Sequence, residues 1–221
     1  MTAARTGAAA PVSKRQALLD AALSSFLEHG VVETTLDELL ARSGASVGSL
    51  YHHFGGKEQL ADSLYVDCLS AYHDAALTQL DAATSPERGV RAIVEHHLGW
   101  IVNHTEQARF LLAYRDHEIR PASEDLRSLN RVFYGHLEAW IEQRAVATAL
   151  PPLPAVIAQW IGPTHNFSRH WLTNQIRCTP DEACAFLSDS AWNALAPLVH
   201  PIKPTSNRPT RRAQPSRRTQ P

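Results

Sequence analysis

The tightest constraint on this chain lies between Thr34 and Phe54, where TTLDELLARSGASVGSLYHHF has to hold two helices and a turn. Thr35 and Glu38 have the form of a reciprocal helix start, in which the hydroxyl accepts an orphan amide and the carboxylate answers it. Leu36, Leu39 and Leu40 give that helix an apolar face, and Gly44 stops it after about two turns. Ser46 caps a further helix through Phe54, and Gly55-Gly56 breaks the chain before another begins near Lys57. A short supporting helix, a glycine turn and a second helix kept slim by Ser46, Val47, Gly48 and Ser49 have the dimensions needed to enter a major groove. Leu50 and Phe54 are assigned to core packing, while His53 either faces the groove or closes the three-helix core.

The rest of the chain reads as helical too. Ser13 with Gln16 opens a helix carrying Leu18, Ala21, Ala22, Ser25 and Phe26 that ends near Gly30. Ser85-Pro86 starts another, on which Val90, Ile93, Val94, His97, Leu98, Ile101 and Val102 fall on one buried face. Ser123 opens a helix striped by Leu126, Leu129, Phe133, Leu137, Trp140 and Ile141. A proline turn over 151–154 precedes a helix spanning roughly 155–172, and Thr179, Pro180 and Glu182 start a last one over roughly 181–199. The expectation is an all-α protein of about nine helices, with no strand and no internal repeat.

Charge divides the chain more sharply than its formal net of −1 suggests. Residues 1–57 are neutral, residues 58–202 hold ten basic and seventeen acidic side chains, and residues 203–221 hold six basic and none acidic. The prolines and arginines of that tail cannot bury enough surface to offset chain entropy, which predicts disorder. It reads equally as a basic arm for nucleic-acid phosphates or as a solubilising tail. We expect four segments: an N-terminal arm over 1–12, a DNA-binding domain over 13–57 with its motif at 35–54, a helical domain over 58–202, and the tail. Cys68, Cys178 and Cys184 form no CxxC pair and fit a reducing, cytoplasmic setting. Met1–Pro11 lacks a signal-like apolar run, and Pro151, Pro152 and Pro154 interrupt the most apolar stretch, so no membrane partner is expected.

Taken together, Phe26, Gly30, Thr35, Gly44-Ala45-Ser46, Gly48, Leu50-Tyr51, His53-Phe54, Lys57 and Leu60 resemble the DNA-binding domain of the tetracycline-repressor (TetR) family of transcriptional regulators. The resemblance covers roughly residues 13–65. It implies that Tyr51, His52 and Lys57 contact phosphates, that Thr35 and Ser46 assist at helix starts, and that Val47, Gly48, Ser49 and His53 lie near bases or phosphates. Because residues 1–57 are neutral, Arg5, Lys14, Arg15 and the arginine tail are expected to supply electrostatics. The resemblance further implies a small-molecule effector held among the C-terminal helices. Trp100, Phe110, Tyr114, Tyr134, Trp140, Trp160 and Trp171 are candidates to line the cavity, and His97, Asn166 or Arg115 to fix a polar group; packing in the core is the alternative for each. The last two long helices would pair with a second copy through Trp160, Trp171, Phe186 and Trp192, giving a homodimer on a roughly palindromic double-stranded DNA operator. Effector binding would shift the fourth helix and move the reading heads out of register.

Enzyme patterns are missing: no HExxH, GxSxG elbow, phosphate-binding glycine loop or dinucleotide fingerprint occurs, so neither a cofactor nor an enzyme is expected. Two other readings stay open, an effector-independent DNA-binding protein and a metal site assembled from His96, His97, His104 and Glu95.

Overall fold

The computed structural model describes residues 13–117, 123–146 and 150–199, and Arg5 and the arginine tail lie outside this set. Ten helices occupy it: α1 (Lys14–Glu33), α2 (Leu36–Ser43), α3 (Val47–His53), α4 (Lys57–Asp81), α5 (Pro86–Asn103), α6 (Thr105–His117), α7 (Glu124–Glu142), α8 (Leu153–Trp160), α9 (Gly162–Leu172) and α10 (Pro180–Val199). No strand occurs among the described residues. Side-chain oxygens of Ser13, Thr35, Ser46, Ser85 and Ser123 each accept an amide in the first turn of the following helix. At α10, Thr179 and Glu182 exchange bonds in both directions, as a capping box requires.

One helix more than expected is present because the single helix read over 155–172 is two. Pro163 has no amide to give the preceding turn, so the chain kinks at Ile161 and restarts as α9. Val102 also departs from expectation: it ends the apolar series on α5 but is 46% exposed, while Trp100, off that series, is buried.

Two cores share the described chain. The first gathers Leu18, Leu19 and Phe26 of α1, Leu39 of α2, Leu50 of α3 and Phe54, together with Leu60, Ala61 and Leu64 of α4 and Phe110 of α6. The second is built on Tyr72, Ala76 and Leu80 of α4 with α5, α7, α8 and α10. The first core therefore reaches past residue 57, where the sequence placed the domain boundary, and the two meet along α4. Gly89 of α5 leaves room for the Trp140 ring of α7, which a Cβ at that position would overlap.

Candidate nucleic-acid interface and effector cavity

The turn between α2 and α3 is closed by Gly44 at φ 60, a left-handed conformation that glycine adopts without steric cost. Ser46 Oγ accepts from Ser49 N at 3.2 Å and fixes the first turn of α3. Leu50 and Phe54 anchor the inner face, as read from sequence. On the outer face Val47 is 55% and Tyr51 51% exposed, and Ser46, Gly48, His52 and His53 are exposed beside them. Ser49 is half-buried. His53 does not close the core; it packs edge-on against Phe54 from outside. Apart from its chain neighbours Val47 and Ser49, the only side-chain atom within 4 Å of a Cβ built on Gly48 is Ser46 Oγ, at 3.9 Å, so the helix surface is open at Gly48.

The cations around the motif brace it. Lys57 Nζ donates to the carbonyls of Val32 and Thr34 at 2.9 and 2.8 Å, tying α4 to the end of α1. Lys14 Nζ donates to the Gly44 carbonyl at 3.0 Å, and Arg15 pairs with Asp67 at 2.9 Å while lying over the Phe54 ring. Thr35 is exposed, and its oxygen caps α2. Sequence reasoning missed these anchoring tasks because their partners are backbone carbonyls, or carboxylates far along the chain.

A second feature lies between α4, α5, α6, α7 and α9, where a cavity of about 440 Å³ opens. Of the ligand candidates, His97, Trp100, Tyr134 and Asn166 line it. Phe110 does not: it stacks on Phe26 in the first core, with centroids 6.1 Å apart. Tyr114 is likewise turned away, its hydroxyl donating to Asp62 at 2.7 Å. Trp140 is absent from the wall because it fills the space over Gly89 and packs on Trp160. Trp160 and Trp171 are not on the wall either, and the Arg115 side chain lies outside what the structure describes. Fully buried, with its indole N–H donating to the Val90 carbonyl at 2.9 Å, Trp160 has no surface left for a second chain.

Sequence reading missed Tyr72, His73, Phe133 and Ser168 on the wall. The His97 ring is bonded on both sides, Nδ1 to the Tyr72 hydroxyl and Nε2 to Ser168 Oγ, each at 2.9 Å. Burial pushes the His73 pKa down to about 4 and holds His97 well below the ordinary histidine value, so both rings are neutral near pH 7. His73 stacks face to face on Phe133 at 3.8 Å.

The side chains suggested for a metal are engaged separately: His96 with the Tyr72 carbonyl, His97 as above, His104 against Trp100, and Glu95 with Arg88. Among the described residues, Glu28, His29 and Glu38 do come together. Arg42 already pairs with both carboxylates, and the Arg42 guanidinium lowers the pKa of Glu28, so the group reads as an ionic brace between α1 and α2.

A slim helix presented beside a supporting helix, on a bundle that holds a separate, partly open cavity, is a helix-turn-helix head carried on a helical bundle. Residues 18–64 match the family model described as bacterial regulatory proteins, tetR family. The HTH-type transcriptional repressor KstR2 of Mycolicibacterium smegmatis is 32% identical over 108 residues, 46% of this chain and 53% of that protein. The HTH-type transcriptional regulator BetI of Rhizobium meliloti is 33% identical over 81 residues, 37% and 40% of the two chains. The match thus spans at most about half the length of these curated relatives. In fold, a TetR family transcription regulator from Marinobacter aquaeolei VT8 superposes with a TM-score of 0.67 at 20% identity, covering 82% of this chain and 94% of the other. FadR from Bacillus subtilis, in complex with stearoyl-CoA, gives 0.61 at 14% identity, covering 78% and 95%. No helix among the described residues is long and apolar enough to cross a membrane.

Proposed function

We propose that this protein is a transcriptional regulator, acting as a repressor, that binds a palindromic DNA operator as a homodimer and leaves it when a small molecule fills the cavity. The observation that carries the reading is the outer face of α3, where Val47, Gly48 and Tyr51 stand clear of the protein. In this reading Val47, Gly48, Ser49 and His53 meet the groove, Tyr51 and His52 the phosphates, and the capped starts at Thr35 and Ser46 the flanking backbone. Lys57 contributes its third N–H while its other two hold α1.

The cavity shares two helices with the DNA head. Tyr72 and His73 of α4 and Leu111 and Leu112 of α6 are on the cavity wall, while Leu64 of α4 and Phe110 of α6 are keyed into the first core. A ligand that favours a displaced α4 and α6 shifts the head through those contacts, by as much as its affinities for the two conformers differ. Pairing of two chains through α9 and α10 suits Phe186, 76% exposed on α10, with Trp171 and Trp192 half-buried nearby in sequence on the same two helices. The dimer sets two α3 helices about 34–36 Å apart, or a multiple of this.

Capture of sheared genomic DNA by the purified protein, followed by sequencing, tests the proposal. Enrichment of inverted repeats with half-sites one or more helical turns apart is expected; uniform recovery of genomic fragments contradicts it.

A further inference from the structure

The cavity wall has a fixed polarity that narrows what it can hold. Ser168 Oγ donates its single proton to the Thr164 carbonyl at 2.8 Å, so it can only accept from His97 Nε2. A neutral imidazole that donates at Nε2 accepts at Nδ1, and the Tyr72 hydroxyl therefore gives its proton to His97. The protons run one way, from Tyr72 through His97 and Ser168 to the backbone. What the Tyr72 oxygen has left to offer a guest is a lone pair. His73 beside it is 4% exposed, and its Nδ1 has no hydrogen-bond partner.

Charge on the guest is disfavoured from both directions. No carboxylate lines the cavity among the described residues, so a desolvated ammonium would go unanswered. Arg169 is the one permanently charged side chain on that wall, and it already has a partner. Flat rings share the apolar surface with aliphatic side chains such as Leu69, Ile101 and Leu112: His73 lies parallel to Phe133 within 4°, and Trp100 meets Tyr72 edge-on at 5.2 Å. Such walls accept further rings by stacking or edge contact, and 440 Å³ falls in the range of small-molecule sites.

Resting on the effector-binding reading above, we propose that the cavity takes an uncharged, planar aromatic molecule bearing a hydroxyl, which donates to the Tyr72 oxygen while its rings pack among His73, Trp100 and Phe133. Equilibrium dialysis against four matched probes, 2-naphthol, naphthalene, 2-naphthoate and 2-naphthylmethylammonium, reads this directly. The naphthol binds about tenfold more tightly than naphthalene, the size of one hydrogen bond to a buried acceptor, and more tightly than either ion. Tyr72→Phe brings naphthol to within about twofold of naphthalene. Tyr114→Phe, which removes a hydroxyl turned away from the cavity toward Asp62, keeps the preference. The wild-type probe series decides the matter even if Tyr72→Phe does not fold. Tighter binding of either ion, equal binding of naphthol and naphthalene, or no binding of any probe overturns the assignment. DNA capture by the same preparation separates the two proposals: captured DNA with no naphthol binding overturns the ligand class alone, and loss of capture overturns the regulator reading.

Discussion

Two residues carry constraints that composition does not reveal. Gly89 is needed because the Trp140 ring occupies the space of a side chain, so Gly89→Ala forces α5 and α7 apart and costs about 1–3 kcal/mol, read as a lower Tm. A variant as stable as the wild type would mean that Trp140 moves freely. His73 couples stability to pH. Its folded pKa of about 4 lies below the ordinary 6.5, so between those values the unfolded chain takes a proton that the folded chain refuses. Stability from this group is complete above pH 6.5, falls as the pH drops toward 4 and levels off below; the loss amounts to roughly 3 kcal/mol. His96 and His97, also lowered by burial, act in the same direction. Thermal unfolding of wild type and His73→Phe from about pH 7 to about 4.5 checks this. The variant loses less stability on acidification, and parallel curves would refute the assignment to His73.

At the scale of elements, caps were the most legible part of the sequence, because a cap is a local bond between neighbours in the chain. Ser13, Thr35, Ser46, Ser85, Ser123 and Thr179 all start helices where they were read. The break at Ile161 was legible in principle, since Gly162-Pro163 marks a helix start, but the apolar run through it concealed the kink. Phe110 was misassigned to the cavity for a different reason. Helical spacing says that a face is buried, not which of two cores buries it. Helix α4 shows the same ambiguity: it serves the first core with Leu60 and Leu64 and the second with Tyr72 and Leu80, so its pattern matches neither alone. Since α3 is only two turns long, its start matters most: Ser46→Ala removes the bond to the Ser49 amide, lowers stability by about 1 kcal/mol and weakens operator binding. Thermal melts and DNA titration of Ser46→Ala beside Ser46→Thr check it, with the threonine variant keeping most of both.

At the scale of the whole molecule, the two cores of the described residues, the proposed DNA head and the proposed sensing bundle, are joined by helices that belong to both. The head keeps its cations for internal bracing: Lys14, Arg15 and Lys57 all hold carbonyls or carboxylates of the protein itself. Shape therefore carries more of the proposed contact than charge does, and the slimness of α3 is the feature on which the account stands. Gly48→Glu is its most direct test, because, apart from its chain neighbours, a Cβ at that position meets only Ser46 Oγ at 3.9 Å and leaves the fold undisturbed. Titrated into the captured operator, with Tm measured in parallel, this variant binds weaker by about a hundredfold or more while melting as the wild type does. Unchanged operator affinity in a normally folded Gly48→Glu protein would contradict the claim that this face of α3 meets DNA.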